Sequence, residues 1–368
     1  MNLIGKPEIM KEVNSSIIER LIYKHGPLSK PKLARMTNLS MPTVNKIVDD
    51  LEKKGLIASV GLCSKGAGRK AILYQLNKDY GCIISLYYFW GNYLCKLVDM
   101  GGNTLFEEKY RLDNTTSETA LLSTFHAIDE MVSRATGKII AIGVGVPGAV
   151  LSDGKLFAIP KVKVWEGFNL KEALSARYSA NIYIENDVNL ATMGYYLKNF
   201  SDELDDIAYI YAGNGMGSGI IINKKFYRGA TNFSGEFGFM APLSGESPQY
   251  NYTIEGGYLE KKLIPLIKNG NGDGEKYGKD DKDVLINYFT AIAANYIAII
   301  NPAAIVFGGE VFDEAFIEEI RLRLNRYSPI NSILVFDGEN NKMGIEGLIL
   351  ACMDNIISNI EWVQTAGV

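Results

Sequence analysis

Hydrophobic positions near the start of the chain recur at helical spacing in three short segments. The first segment ends at Gly26, while the second follows Ser29 and the third follows Ser40, so a glycine or a serine marks each helix end. The apolar stripe of the third segment consists of Val44, Ile47, Val48 and Leu51. Near its beginning this helix is left with a polar face made of Pro42, Thr43, Asn45 and Lys46.

Two β-rich runs, "LIASVG" and "AILYQL", follow the helices and flank a glycine-rich segment with three cations, Lys65, Arg69 and Lys70. Two short helices joined by a tight turn and followed by a basic hairpin are typical of a winged helix-turn-helix. There the start of the second helix contacts base edges, and the wing contacts phosphates or the minor groove. The predicted DNA contacts are Ser40, Pro42, Thr43, Asn45, Lys46, Lys65, Arg69 and Lys70.

Charge is distributed unevenly along the chain. Residues 1–77 hold 13 basic and six acidic residues, a net charge of +7, whereas the remaining 25 basic and 36 acidic residues give −11. A basic module on an acidic body indicates that one end meets a polyanion. A basic three-helix domain that binds protein is the alternative, but the cap, turn, wing and charge together favour DNA.

After residue 77 the pattern changes to alternating strands and helices. Three strands, "CIISLYYF", "YLCKLVDM" and "TLFEEKYRL", precede a helix around 117–136, and β/α alternation follows. Further helices are predicted at about 188–199, 256–268, 281–299, 312–325 and 344–359. A body of about 290 residues with this pattern is α/β and divides into two lobes around a cleft. We therefore predict two domains, 1–77 and 78–368, with the cleft near 187–236.

Candidate chemistry lies at the strand ends of the body, where α/β proteins bind ligands. Asn186 and Asp187 end the segment "NIYIEND", and Asp187 is a candidate general base, a hydroxyl acceptor or a helix cap. Glu236 and Glu260 add carboxylates of the kind that bind sugar hydroxyls. Glycine-rich segments at 143–150, 213–219 and 307–310 predict close backbone approach to a phosphate or a sugar.

Cysteine and histidine usage narrows the class of protein. The four cysteines form no CxxC pair, and His25 and His126 are isolated, so we expect neither a disulfide framework nor a metal site. No apolar run reaches the length of a membrane span, and the first residues lack a signal-peptide pattern. A cytoplasmic protein without membrane partners is the expectation.

The order and spacing of these segments resemble the ROK family, which groups repressors, open reading frames and sugar kinases. The similarity covers nearly the whole chain and includes "GPLSKPKLARMTNLSMPTVNKIVDDLEKKGLI", "GVGVPGAV", "IENDVNL", "GNGMGSGIIINKKFYRGATNFSGEFGFM" and "NPAAIVFGG". It implies an α/β body that is two-lobed and actin-like (ribonuclease-H-like), with a sugar site in the cleft. The winged helix implies the repressor branch, whose members form homodimers or homotetramers on palindromic operators.

The resemblance also implies roles for single residues. Asn186 and Asp187 match the sugar-binding pair, Asp187 matches the catalytic base of the kinases, and Glu236 and Glu260 match acidic sugar contacts. Lys161 occupies a place where the family often has a sugar-contacting Asn, which favours an acidic or unusual ligand. The implied sugar contacts are Lys161, Asn186, Asp187, Glu236 and Glu260.

Two departures from the family pattern indicate lost functions. Where the kinases have a DxGGT-like phosphate loop, this chain has "YYFWG", in which Tyr87 replaces the acid and Phe89 and Trp90 replace small residues. The positions of the family's four zinc ligands hold Phe239, Asn251, Thr253 and Tyr258. We therefore expect no kinase activity, no structural zinc and no cofactor.

Three hypotheses about function remain. The leading one is a DNA-binding regulator, most simply a repressor of carbohydrate genes, whose body senses a sugar or a sugar derivative. The alternative is an ATP-dependent sugar kinase that carries a DNA-binding domain, which Asp187 supports and "YYFWG" opposes. The third is a regulator that has lost its ligand and responds to a protein partner.

Overall fold

The structure is a computed structural model. It describes residues 7–63, 71–89, 91–201, 203–213, 215–241, 256–268, 277, 279–330, 332–339 and 342–357. Several residues of interest lie outside these ranges, namely Lys65, Arg69, Lys70, Trp90, Asn251 and Thr253.

The N-terminal unit has three helices and a small antiparallel sheet. The helices are α1 (Pro7–His25), α2 (Lys30–Thr37) and α3 (Met41–Lys53). The strands are β1 (Leu28–Ser29), β2 (Ile57–Cys63) and β3 (Ala71–Leu76), in the order β1-β3-β2. This is the predicted winged helix. Since β3 ends at Leu76 and the next sheet begins at Cys82, we propose the domain boundary at residue 77.

The helices of this unit begin and end at the residues that the sequence indicated. The hydroxyl of Ser40 accepts a hydrogen bond from the Thr43 amide at 3.3 Å, and the predicted stripe of α3 is buried. Gly55 has a φ of 75°, the left-handed backbone that glycine adopts past a helix end. Ser29 occupies the cap position of α2 as predicted, although its side chain makes no capping hydrogen bond.

The first lobe of the body is built on a five-stranded sheet. Its strands are β4 (Cys82–Phe89), β5 (Asn92–Asp99), β6 (Thr104–Arg111), β7 (Ile139–Val146) and β10 (Asn181–Asn186), in the order β10-β7-β4-β5-β6. A separate two-stranded sheet pairs β8 (Ala149–Val150) with β9 (Leu156–Phe157). Helices α4 (Ser117–Arg134) and α5 (Leu170–Arg177) precede β7 and β10.

The second lobe repeats the strand order of the first. Its strands are β11 (Ile207–Ala212), β12 (Met216–Ile222), β13 (Lys225–Phe226), β14 (Ala304–Gly308) and β15 (Ile333–Asp337). In each lobe the first strand is central. On one side of it, each of the next two strands pairs antiparallel with its neighbour, and on the other side the strands pair in parallel. Its helices are α7 (Tyr258–Lys268), α8 (Lys279–Ile299) and α9 (Glu314–Leu324).

Two helices connect the lobes, and they cross each other at glycines. These are α6 (Asp187–Asn199), which leads from β10 to β11, and α10 (Lys342–Ile357), which follows β15 and packs on the first lobe. A Cβ added at Gly347 would lie 2.0 Å from the carbonyl oxygen of Leu190, and one added at Gly194 would lie 2.3 Å from that of Met343. The two backbones are therefore as close as glycine allows.

The winged helix contacts the ends of both connecting helices. Arg20 of α1 pairs with Asp354 of α10, with Nε 3.0 Å from Oδ1. Lys24 of α1 donates a hydrogen bond to the hydroxyl of Ser201, just beyond α6, at 3.3 Å. Apolar side chains of the winged helix and of α10 belong to one continuous cluster. None of the helices in the described part of the chain is long and apolar enough to cross a membrane.

Candidate functional site

A cleft lies between the two sheets of the body, at the carboxyl ends of β4, β7 and β10. Its other wall is formed by the β11–β12 turn and by the segments that follow β13. All five residues predicted to contact a sugar line this cleft, namely Lys161, Asn186, Asp187, Glu236 and Glu260. Strand ends therefore converge here as the α/β pattern predicted. The contact of these residues with a sugar stays a prediction.

Asn186 and Asp187 enter the cleft at the start of α6. The side-chain oxygen of Asn186 accepts a hydrogen bond from the Asn189 amide at 2.9 Å, and its Nδ2 donates to the Gly148 carbonyl at 3.0 Å. Asn186 thus caps α6, and Asp187 is the first residue of the helix rather than its cap. Burial raises the pKa of Asp187 to about 7, although its carboxylate accepts a hydrogen bond from the Val188 amide. A carboxyl with this pKa is suited to exchange a proton or bind a hydroxyl.

Glu236 and Glu260 face the same space from the second lobe. Gly235, with a φ of 94°, places Glu236, and its carbonyl accepts hydrogen bonds from the amide and the hydroxyl of Ser218, both at 2.8 Å. Burial, and then the nearby charges of Glu260 and Asp187, raise the pKa of Glu236 to about 8. Carboxylates in one cleft repel each other. A ligand that donates several hydrogen bonds to them reduces this repulsion.

Aromatic side chains form much of the remaining wall. Tyr87, Tyr88, Phe89, Tyr209, Tyr211 and Phe239 line the cleft. The Tyr87 hydroxyl donates to the backbone carbonyl of Asp187 at 3.5 Å, and the Tyr211 hydroxyl donates to Glu310 at 3.4 Å. The sequence did not single out Tyr88, Tyr209 or Tyr211, because they belong to strands whose apolar pattern indicates only a buried core.

Several glycines predicted to approach a phosphate or a sugar pack closely against protein side chains. A Cβ added at Gly145 would lie 2.8 Å from the Tyr87 ring, and one added at Gly219 would lie 2.1 Å from the Thr192 hydroxyl. One added at Gly213 would collide with the carboxylate of Glu310. At these positions the glycines make room for protein side chains, and the approach of the backbone to a phosphate or a sugar stays a prediction.

Lys161 lies in a short 3-10 segment, Pro160–Trp165, and is half-buried at the cleft. Its carbonyl accepts a hydrogen bond from Asn114 Nδ2 at 3.0 Å. Of the four positions aligned with zinc ligands, Phe239 and Tyr258 lie in the described part of the chain. Within that part, no group of three His, Cys, Asp or Glu side chains could hold a metal ion.

The predicted DNA-contacting face lies on the winged helix. Ser40, Pro42, Asn45 and Lys46 are exposed around the start of α3, while Thr43 is half-buried and its hydroxyl is 2.8 Å from that of Ser40. Exposed Lys32 and Arg35 on α2 add cations that the sequence did not single out. Contact of these residues with DNA stays a prediction.

These observations define a class of protein, namely a winged-helix domain joined to a two-lobed, actin-like body with an acidic, aromatic cleft. Comparison with known proteins specifies it further. Residues 92–250 match the ROK family, and residues 20–60 match the MarR family. The chain thus has a ROK-family domain preceded by a MarR-type winged helix-turn-helix, as the sequence indicated.

The relatives include proteins similar over the full length. The xylose repressor of Caldicellulosiruptor bescii is 26% identical over 97% of this chain and 98% of its own. The DNA-binding transcriptional dual regulator NagC of Escherichia coli is 26% identical, covering 84% of this chain and 83% of its own.

Solved structures support the fold. A ROK family transcriptional regulator homologous to the E. coli Mlc protein superposes with a TM-score of 0.73 at 20% identity, covering 95% of this chain and 98% of its own. A ROK family glucokinase from Streptomyces griseus, in complex with glucose and AMPPNP, gives a TM-score of 0.57 at 22% identity, covering 73% and 99%.

Proposed function

We propose that this protein is a transcriptional repressor whose DNA binding is controlled by a sugar in the cleft. The observation that carries the proposal is the placement of α6. Its first residue, Asp187, lies in the cleft, and Ser201, just beyond its last turn, contacts α1 of the winged helix. One rigid element therefore spans from the candidate sugar site to the candidate DNA-binding domain.

The names of the relatives support the same function. Full-length similarity to a xylose repressor and broad similarity to NagC place this chain among sugar-linked regulators. The lining of the cleft is consistent with sugar binding, because three carboxylates and an amide offer the acceptors that sugar hydroxyls require. D-xylose is therefore the first effector to test.

A switch requires that the sugar bind two conformations with different affinity. The cleft is shared between the lobes, with Asp187 on one wall and Glu236 on the other. A sugar that contacts both residues favours the closed arrangement. Because α6 and α10 cross at Gly194 and Gly347, they move together, and the motion reaches α1 through Arg20 and Lys24. We propose that this motion changes the spacing of two winged helices in a homodimer on a palindromic operator.

Sugar phosphorylation is the second candidate function, and the pKa of Asp187, about 7, favours it because a general base works best near ambient pH. Tyr87 opposes it. Its ring occupies the end of β4 and fits so closely against Gly344 that a Cβ there would lie 2.3 Å from the ring. A bulky ring at this strand end leaves less room for the backbone to approach a phosphate. We propose that the protein does not phosphorylate sugars.

The function is tested by selecting binding sites from a random duplex library with the full-length protein. The selected operator is then titrated with and without D-xylose, N-acetylglucosamine or glucose. We expect a palindromic site and at least a tenfold loss of affinity with one sugar. Absence of any selected site would refute the DNA-binding proposal. Turnover of ATP with a sugar, lost in Asp187→Asn, would instead establish the kinase.

A further inference from the structure

A network of charged and polar groups, centred on buried Glu185, lies behind the cleft and outside its lining. Glu185, the residue before Asn186, is only 3% exposed and accepts hydrogen bonds at one carboxylate oxygen, Oε1. The donors are the Asn186 amide and the Asn189 side chain, both at 2.9 Å. Its other oxygen accepts from the Tyr183 hydroxyl at 3.3 Å and pairs with the guanidinium of Arg228.

Arg228 comes from the opposite lobe. It follows β13, and its Nη2 donates to the Tyr183 hydroxyl at 3.4 Å. Burial disfavours the guanidinium charge, but Glu185 and Tyr183 outweigh it and raise the pKa of Arg228, so the guanidinium stays charged. An ion pair whose carboxylate is buried fixes geometry, since breaking it leaves that carboxylate without its partner.

The segment that begins at Arg228 leads to Glu236. The carbonyl of Arg228 accepts a hydrogen bond from the Ser234 amide at 3.3 Å, which closes the turn just before Gly235. Within the same turn Asn232 Nδ2 donates to the Val150 carbonyl of the first lobe at 3.2 Å. One end of the Arg228–Glu185 pair thus holds Asn186, and the other end holds the segment that presents Glu236.

We propose that Arg228 and Glu185 are positioning residues of the effector site, which set the separation of the two acidic walls without touching the ligand. Neither side chain lines the cleft. This inference rests on the proposed sugar-binding function. It assigns the geometry of the site to an ion pair that joins the lobes, and it predicts that effector binding needs the pair whereas DNA binding alone does not.

The test compares Arg228→Met, Arg228→Lys and Glu185→Gln with a matched control, Arg323→Met. Arg323 is a suitable control because it bridges two helices of the second lobe through Asp283 and is 21% exposed, against 28% for Arg228. We expect Arg228→Met to weaken D-xylose binding at least tenfold by calorimetry and to leave sugar-free operator affinity within twofold. Arg228→Lys restores part of the loss. The double variant with Glu185→Gln should be no worse than either single change.

Hydrogen exchange of the sugar-free protein gives a readout that does not depend on the identity of the effector. The amides of Asn186 and Ser218 should exchange at least tenfold faster in Arg228→Met than in the wild type. Their exchange rates should be unchanged in Arg323→Met. Unaltered exchange, or an equal effect of the control, overturns the inference. If the wild-type protein binds none of the three sugars, the proposed effector class fails, while the exchange rates still decide the positioning role.

Discussion

Arg20 and Asp354 join the winged helix to the last helix of the body, with Nε 3.0 Å from Oδ1 and a second contact, Nη2 to Oδ2, at 3.2 Å. The Arg20 side chain is 46% exposed, so water screens the pair and its contribution to stability is below about 1 kcal/mol. We therefore assign its role to its position, because it connects the winged helix to α10, the helix that crosses α6.

Replacing Arg20 with Met should reduce the response to the effector more than the stability. We expect operator affinity without sugar to stay within about threefold, and the loss of affinity caused by sugar to shrink by up to about 1 kcal/mol. Operator titrations with and without D-xylose measure both quantities. Arg177→Met is the control, since Arg177 forms a comparably exposed pair with Asp129 at 2.6 Å within the first lobe. An undiminished sugar response in Arg20→Met would contradict the proposed route.

Two residues of α3 should affect DNA binding in different ways. Lys46→Met is expected to weaken binding to all sequences and to lower the salt slope by about one. Asn45→Ala should cost about 1–3 kcal/mol and relax base preference at one position of each half-site. Fluorescence anisotropy at several salt concentrations measures both effects. Lys53→Met, at the far end of the same helix, is the control and should change neither.

The acidic cleft should make stability depend on pH. Because the pKa values of Asp187 and Glu236 are raised to about 7 and about 8, the folded protein binds more protons than the unfolded chain between about pH 4 and pH 8. The free energy of unfolding therefore falls as pH rises through this window. Glu236→Gln should be more stable than wild type by about 1–2 kcal/mol at pH 8, with little difference at pH 4.

Urea unfolding at both pH values measures this difference. Glu108→Gln, a substitution of an exposed glutamate on β6, serves as the control and should not alter the pH dependence. A wild-type stability that rises from pH 5 to pH 8 would show that the carboxyl groups of the cleft are not held in their protonated forms.

At the glycine crossing of α6 and α10, we expect alanine to lower stability, which is the opposite of what helix propensity predicts. Alanine at a helical glycine normally stabilises by about 1 kcal/mol. At Gly347 the new Cβ would lie 2.0 Å from the Leu190 carbonyl, so we expect a loss of about 2 kcal/mol or more and a weaker sugar response. Gly137→Ala, where the nearest contact is Cys82 Sγ at 3.6 Å, should be nearly neutral by thermal unfolding. A stabilised Gly347→Ala would disprove the close crossing.

Local sequence patterns predicted much of the fold. The winged helix, the first three strands of the body and the long helices follow from apolar spacing and end signals, which act over a few residues. Strand ends also located Asn186 and Asp187, because parallel strands bring their carboxyl ends to one edge. Strand β15 was missed, since five residues without a clear alternation carry too little signal.

Long-range pairs could not be predicted. Arg20 and Asp354 are separated by 334 residues, and an arginine or an aspartate in a sequence does not indicate which residue it will pair with. Arg228 stands between Tyr227 and Gly229, where a lone arginine indicates only a surface turn. Its burial against Glu185 depends on how the two lobes meet, which no local pattern encodes.

The shared strand order of the two lobes bears on how a protein of this fold changes its function during evolution. Each sheet turns the ends of its central strands toward the same cleft, so the reactive groups sit on short segments that the scaffold merely carries. Tyr87 stands at the end of β4 and lines the cleft, so a substitution at this position changes the wall of the cleft directly. One two-lobed fold can therefore carry either a binding site or a catalytic site, depending on the residues at its strand ends.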